Sequence, residues 1–170
     1  MERLWAPWRL AYVANPKTPG EHDPCFICKA VGEQRDRDNL LAWRGNASVV
    51  MLNRFPYNNG HLLVAPNAHK AGMHELGPGE IVEIQQAIAS MIGAIDAMMK
   101  PDGYNVGLNL GKAAGAGLPG HLHWHVVPRW HGDTNFMPVL TDTRVIVQSL
   151  DQFYDLLTER LATRSPSASG

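Results

Sequence analysis

The 170-residue sequence predicts an α+β fold in which a mostly antiparallel five-stranded sheet packs with one long helix and one C-terminal helix. Five short segments are rich in apolar and β-branched residues, whereas two longer segments repeat apolar residues every three or four positions. The order strands, helix, strands, helix is typical of this fold class. The length fits one domain, expected over residues 1–162 with an irregular N-terminal arm, followed by a disordered tail over 163–170. In the arm, Trp5 and Trp8 are expected to pack onto the domain.

The first three strands are predicted before the long helix. Residues 40–44 and 48–53 have the composition of strands, and the turn residues at 45–46 join them as a hairpin. The segment 53–60 is rich in Asn, Pro and Gly and is predicted to be a loop. Residues 61–66 then form a short third strand.

The long helix is predicted to begin at Pro78 and to end near Met99. Proline suits the first turn of a helix, and the Pro-Asp-Gly sequence at 101–103 stops it. Its expected buried face consists of Ile81, Ile84, Ile88, Ile92, Ile95 and Met99. A second helix is predicted near 149–163. Its expected buried face consists of Leu150, Phe153, Leu157 and Leu161.

The composition argues against several classes of partner. The formal net charge is −1, and 18% of the residues are charged, with lysines and arginines dispersed along the chain. This distribution gives no basic surface for a nucleic-acid polymer and no basic amphipathic helix for a membrane. The first residues lack the pattern of a signal peptide, so a cytoplasmic location is expected.

The most informative segment contains histidines at every second position, namely His121, His123 and His125. In a strand, alternate side chains share one face, so the three imidazoles are predicted to line one side of a strand. The residues between them turn to the other, buried face: Leu122, Trp124 and Val126. With the predicted strand at 105–110 and the glycine-rich loop at 111–120, this segment is expected to form an antiparallel hairpin.

The chemistry of this segment favours His123, the middle histidine, as a nucleophile. A neutral imidazole can attack phosphorus or an acyl carbon and form a covalent intermediate. Its other ring nitrogen then needs an orienting acceptor, commonly a backbone carbonyl. His125, His61 and the N–H groups of the glycine-rich loop can stabilise the charge on a phosphate. That loop lacks the Lys-Ser/Thr ending of a Walker motif, so it serves only as a general anion cradle.

Several motifs together resemble the histidine triad (HIT) family. Residues 120–129 match its signature of three histidines separated by apolar residues, and residues 52–56, 60–64 and 105–110 match the family in order and spacing. The resemblance covers roughly residues 4–160 and is closest to bacterial members of the diadenosine tetraphosphate phosphorylase or hydrolase type. It implies a HIT-like fold and a homodimer whose sheets join across the two subunits.

The resemblance also implies an activity and a set of site residues. The family hydrolyses or phosphorolyses phosphoanhydrides, with dinucleoside polyphosphates such as diadenosine tetraphosphate as substrates, and His123 matches the residue that carries the covalent nucleotidyl group. His125 and His61 match positions that contact the phosphate, Asn53 matches one that holds the ribose, and Asn109 matches a polar position near the phosphates. Gly115 and Gly117 lie in the loop expected to cradle them.

The chain departs from the family pattern just before the triad. Many relatives carry Gln or Ser there, whereas this chain has Ala116, Gly117 and Leu118, which offer only backbone groups. The group that protonates the leaving phosphate is therefore open, as is the choice between hydrolase and phosphorylase.

The two cysteines, Cys25 and Cys28, are spaced as a Cys-x-x-Cys pair. In a reducing cytosol such a pair is expected to be a metal knuckle or a redox pair. The resemblance implies a structural Zn²⁺ site completed by His69 and His121, since two thiolates and two imidazoles suit closed tetrahedral coordination. Weaker candidate ligands are His22 and His74, whereas His131 is expected near the pocket or in solvent.

Two alternatives come from other classes of protein. The three histidines could form a catalytic metal site, as in metalloenzymes with three histidine ligands. The chain could also bind nucleotides without catalysis.

Overall fold

A computed structural model describes residues 25–133 and 148–164 of the chain. In chain order its elements are α1 (Phe26–Gly32), β1 (Leu41–Arg44), β2 (Ser48–Leu52), β3 (Leu62–Pro66), α2 (Pro78–Met99), β4 (Gly103–Leu108), β5 (Trp124–Arg129) and α3 (Leu150–Arg164), with short 3-10 turns at Met73–Glu75 and Lys112–Ala114. The strands form one sheet in the order β1-β2-β3-β5-β4, and every neighbouring pair is antiparallel. The predicted α+β class and the predicted hairpin of β4 and β5 are confirmed.

The central part of the sheet is covered on both faces. A large core cluster joins α2 and α3 to one face, and a smaller cluster, which includes Ile27 and Ala30, joins α1 to the other. As a result, β2 and β3 are buried at every position. Strands covered on both sides are selected for continuous apolar sequence rather than for alternation, which explains their composition.

The long helix is confirmed, with one correction to its buried face. Its buried residues are Ile84, Ala87, Ile88, Met91, Ala94 and Ile95. Ile81 is 41% exposed, so its predicted burial is wrong. It lies in the first turn, at the edge of the buried face of the helix, where Glu80 pairs with Lys70 at 2.5 Å.

Within the described residues, α2 is also the one helix with the length and apolar composition of a membrane span. Of its apolar 18-residue stretch, 33% is buried inside the protein.

The C-terminal helix is confirmed as α3, in which Phe153 and Leu157 are buried and Leu150 and Leu161 pack against the same core. It continues to Arg164, so residues 163–164 are helical rather than part of a disordered tail. The rest of that tail, residues 165–170, and the predicted arm with Trp5 and Trp8 lie outside the described residues.

The histidine segment keeps its alternation, but only part of it is a strand. β5 begins at Trp124, so His121 and His123 precede the ladder. The register pairs Val64 with Trp124, which places Leu122 opposite Pro66. Proline has no N–H to donate, so the ladder ends there. Leu122, Trp124 and Val126 are nevertheless buried in the large cluster, as predicted.

The burial of α3 generates a matched test of the core. Leu157→Ala should lower the free energy of unfolding by about 2 to 5 kcal/mol, because it removes a fully buried side chain and leaves a cavity. Leu156→Ala, at the neighbouring 48% exposed position, should change it by less than about 0.5 kcal/mol. Denaturant unfolding of the two variants measures the difference. Equal losses would contradict the placement of α3.

Candidate active site and metal centre

His123 is held by a backbone carbonyl. Its Nδ1 lies 2.9 Å from the carbonyl oxygen of His121, and its side chain is buried. A carbonyl can only accept, so the ring proton is on Nδ1 and the lone pair is on Nε2. This is the orientation predicted for a nucleophilic imidazole.

A chain of hydrogen bonds sets the protons of the next two histidines. The backbone N–H of Tyr57 donates to His61 Nδ1 at 3.0 Å, so the His61 proton is on Nε2. His61 Nε2 lies 2.9 Å from Nδ1 of His125 and donates to it. His125 therefore carries its own proton on Nε2, where it can be donated to a ligand.

The environment of His125 keeps it neutral. Burial, followed by the nearby His123, lowers the pKa of His125 to about 4. The centroid of the His125 ring lies 5.1 Å from that of His123. The Tyr57 ring stacks on His125 with its centroid 5.6 Å away. At neutral pH the His125 ring next to His123 is therefore a neutral N–H donor.

His61, predicted to contact the phosphate, lies against His125. It is 1% exposed, and its Nε2 is engaged by His125. This geometry also suits a residue that orients His125.

Asn53 begins the loop that carries Tyr57. Its Oδ1 accepts the backbone N–H of Phe55 at 2.9 Å, and its Nδ2 donates to Nδ1 of His61 at 3.3 Å. These contacts fix the amide at the mouth of the loop, next to the histidine pair.

A second network at the other end of this loop was not found by sequence reasoning. Asn58 donates to the carboxylate of Asp133 at 2.8 Å and to the carbonyl of Pro128 at 3.1 Å. Asp133 also accepts two hydrogen bonds from Arg129, at 2.6 and 2.8 Å. The network ties the loop to the end of β5. The two sides of this network lie in the Asn-Asn-Gly and Pro-Arg-Trp sequences, but the sequence alone does not show that these segments contact each other.

The predicted phosphate cradle lies between β4 and β5. The pairing of Leu108 with Trp124 places the next residue, the half-buried Asn109, opposite His123. Gly115 has a φ of +87°, which only glycine adopts readily, and it reverses the chain after the Lys112–Ala114 turn. Gly117 is exposed in the same loop.

The four predicted metal ligands come together. The ligand atoms of Cys25, Cys28, His69 and His121 all lie within 4.8 Å of one another. Cys25 Sγ and Cys28 Sγ lie 3.2 and 3.5 Å from His121 Nδ1, and Cys28 Sγ lies 3.2 Å from His69 Nδ1. Tetrahedral zinc with ordinary bond lengths separates sulfur from nitrogen by about 3.5 Å, so the group fits such an ion.

The protonation of His121 also suits a metal ligand. Its Nε2 lies 2.9 Å from the carbonyl oxygen of Pro66 and donates to it, which leaves the Nδ1 lone pair facing the thiols. Burial is the main cause that lowers the pKa of His121, so the imidazole is neutral.

The two cysteines are held by α1, a helix that sequence reasoning missed because seven residues are too few to show a period. Cys25 is its N-cap and accepts the N–H of Cys28 at 3.5 Å. At the other end, Arg44 donates to the carbonyls of Ala30 and Glu33 at 2.9 and 2.8 Å. Arg44 thereby fixes the C-terminal end of the helix beside β1.

The remaining histidines do not join this group. His74 and His131 are exposed, and His131 lies 2.9 Å from Asp102. His22 lies outside the described residues. Within residues 25–133 and 148–164, the three triad histidines do not bring their ring nitrogens together as a metal group.

Comparison with known proteins is consistent with this geometry. A family model described as HIT domain matches residues 35–132. The chain is 36% identical over 168 residues to an AP-4-A phosphorylase of Mycobacterium tuberculosis, covering 95% of this chain and 85% of the relative. It is 31% identical to the adenosine 5'-monophosphoramidase hnt1 of Schizosaccharomyces pombe, over 62% of this chain and 74% of that protein. A zinc-bound histidine triad family protein of Mycobacterium smegmatis is 25% identical, with a TM-score of 0.65, over 82% of this chain and 94% of that one.

The environment of His125 predicts its titration. In an NMR titration its ring should protonate with a midpoint near pH 4, well below the ordinary value of about 6.5. Because the unfolded chain then binds more protons between about pH 6.5 and 4, the free energy of unfolding should fall as the pH is lowered through that window. His125→Gln should make this dependence shallower. A midpoint at or above pH 6.5 would contradict the assigned environment.

Proposed function

The chain belongs to the HIT domain family, and on that premise we propose that it is an enzyme that cleaves the phosphoanhydrides of dinucleoside polyphosphates such as diadenosine tetraphosphate. The observation that carries the proposal is the His123 imidazole, whose Nδ1–H is held by a carbonyl and whose Nε2 lone pair lies beside a neutral N–H donor. The whole-chain similarity to an AP-4-A phosphorylase supports the substrate class.

The reaction proceeds in two displacements. The lone pair of His123 Nε2 attacks the phosphorus next to one nucleoside, a P–N bond forms, and the P–O bond to the remaining polyphosphate breaks. The leaving nucleotide takes the bond electrons, while Nε2–H of His125 donates to a phosphate oxygen on which charge develops. In the second displacement, inorganic phosphate or water attacks the same phosphorus and His123 is released.

Four other residues bind the substrate in this proposal. Asn53 contacts the ribose, and Asn109 with the backbone of Gly115 and Gly117 surrounds the phosphates. The position of Asn109 opposite His123 supports its role. His61 acts through His125 as a positioning residue. The similarity to a phosphorylase over 95% of the chain favours inorganic phosphate as the acceptor, with water as the alternative.

His123→Ala tests the nucleophile. Turnover of diadenosine tetraphosphate should fall by roughly 10³-fold or more, because the side chain proposed to carry the intermediate is removed. His131→Ala, which removes an exposed histidine, should keep normal turnover. Circular dichroism and thermal unfolding establish that both variants fold. Near-normal activity in folded His123→Ala would contradict the role.

Product analysis distinguishes the possible acceptors. Wild-type protein is incubated with diadenosine tetraphosphate, with and without phosphate, and the nucleotides are resolved by chromatography. We expect ADP and ATP only when phosphate is present, whereas AMP and ATP without phosphate would identify a hydrolase. Mass spectrometry of the protein should show a nucleoside monophosphate on His123. Nucleotide binding without products or adduct would instead indicate a non-catalytic binding protein.

The group of Cys25, Cys28, His69 and His121 is proposed to hold a structural Zn²⁺. The donor set, the convergence of the ligand atoms and the similarity to a zinc-bound relative support this assignment. With four protein ligands no coordination position stays open for substrate, so the ion stabilises the fold and takes no part in bond cleavage.

Metal analysis should find about one zinc ion per wild-type chain. Cys28→Ser should lose most of it and unfold at a lower temperature, because it removes one of the two thiolates. His123→Ala should keep it. Zinc that survives Cys28→Ser and is lost in His123→Ala would favour a catalytic site of three histidines instead.

A homodimer with sheets joined through β4 is also proposed. In the described residues β4 pairs only with β5, and its Val106 is 46% exposed. An unpaired edge of this kind can add a strand from a second copy. Light scattering should show a dimer that Val106→Lys weakens; a monomeric wild type would contradict the proposal. The proposed partners are therefore a nucleotide substrate and a second copy of this chain. We propose no nucleic-acid polymer or membrane as a partner, and a cytoplasmic location.

A further inference from the structure

One peptide group connects the candidate metal centre to the candidate nucleophile. The peptide between His121 and Leu122 presents its carbonyl oxygen to His123 Nδ1 at 2.9 Å, and its N–H donates to the carbonyl of Lys70 at 2.7 Å. Because a peptide is planar and trans, its C=O and N–H point in opposite directions. Whatever fixes the N–H therefore fixes the direction of the carbonyl that orients His123.

Both sides of this peptide are tied to metal ligands. Lys70, which accepts the N–H, directly follows His69, and the residue that supplies the carbonyl is His121 itself. The other ring nitrogen of His121 is held by Pro66, and the side chain of Lys70 is held by Glu80 at the start of α2. Residues 69–70 and residues 121–122 are thus connected by a hydrogen bond next to the group of four ligands.

We infer that the metal centre orients the His123 ring through the His121–Leu122 peptide, so that His69 and His121 are positioning residues for the nucleophile. This inference rests on the proposed role of His123. When the 69–70 segment is released, the peptide can rotate, Nδ1–H of His123 loses its acceptor, and both ring tautomers become populated. Only the tautomer with the lone pair on Nε2 is competent in the proposed reaction.

The contacts that hold the loop with the proposed ribose ligand are separate from this connection. Asn53 and Tyr57 are held by contacts with His61, and Asn58 is held by Asp133. None of these residues belongs to the ligand group. The glycine-rich loop proposed to surround the phosphates lies closer, since Gly120 is next to His69 and the N–H of His121 donates to Leu118. The coupling therefore predicts a loss in kcat that exceeds any change in KM, whereas general loosening of the fold would change both to a similar extent.

The test uses His69→Ala in zinc-saturated buffer, with His74→Ala as the matched control. Three ligands remain in His69→Ala, enough for zinc with a water in the fourth position. His74 is an exposed histidine of the same segment and lies outside the group. Nitrogen-15 NMR of the His123 ring reports its tautomer, hydrogen exchange reports the Leu122 amide, and steady-state kinetics separate kcat from KM.

We expect wild type and His74→Ala to show a single tautomer with the proton on Nδ1 and a protected Leu122 amide. In His69→Ala we expect mixed tautomers, faster exchange, and a kcat lowered roughly tenfold or more, within the range known for residues behind a metal ligand, with KM changed by less than about twofold. If His69→Ala does not fold, His69→Cys replaces it. That variant keeps four ligands but shortens the connection to the backbone, so the same changes are expected.

An unchanged tautomer and an unchanged Leu122 amide in the folded, zinc-loaded variant would overturn the inference. The two structural readouts do not depend on turnover. If they change as expected but neither wild type nor variant turns over any dinucleoside polyphosphate, the coupling is supported and the proposed function is contradicted. If they stay constant while wild type is active, the coupling alone is wrong.

Discussion

The position of one proton on each imidazole is the constraint on which this site depends, and the backbone satisfies it. The carbonyls of His121 and Pro66 hold His123 and His121, and the N–H of Tyr57 holds His61. A carbonyl can only accept and an amide N–H can only donate, so each contact permits a single tautomer. A hydroxyl or a side-chain amide could either donate or accept, depending on its rotation, and would not select a tautomer. The backbone thereby gives these chemically identical side chains different arrangements of donor and acceptor nitrogens.

Burial makes this arrangement effective and also limits it. Burial desolvates His121 and His125, so their neutral imidazoles are favoured over imidazolium ions. A neutral His125 attracts phosphate less strongly than a charged one would. In the proposed complex the additional donors come from elsewhere, such as the Asn109 amide and the backbone N–H of Gly117, whereas the N–H of Gly115 already donates to the carbonyl of Lys112.

The sequence allowed the fold class and the two main helices to be predicted, because period and turn residues are local signals. The convergence of Cys25, Cys28, His69 and His121 followed from the family resemblance rather than from spacing alone. Other features are tertiary. The helix α1 is too short to show a pattern, and the partnership of Asn58 with Asp133 joins residues far apart in the chain. The role of His61 also could not be read from its spacing, since its burial depends on Tyr57 and His125. Even the triad is a strand only from Trp124 onward, since Pro66 ends the ladder.

The loop before the triad has a bearing on substrate class. Ala116 is buried and Leu118 packs on the cluster beneath α1, so this stretch contributes backbone groups but no side-chain acid. A phosphate leaving group has a second pKa near 6 and can depart as an anion at neutral pH. An amine leaving group, with a pKa near 10, must be protonated as its bond to phosphorus breaks. The lack of a side-chain acid therefore costs little in the cleavage of an anhydride and much more in that of a phosphoramidate. This difference favours dinucleoside polyphosphates over phosphoramidates as substrates of this site.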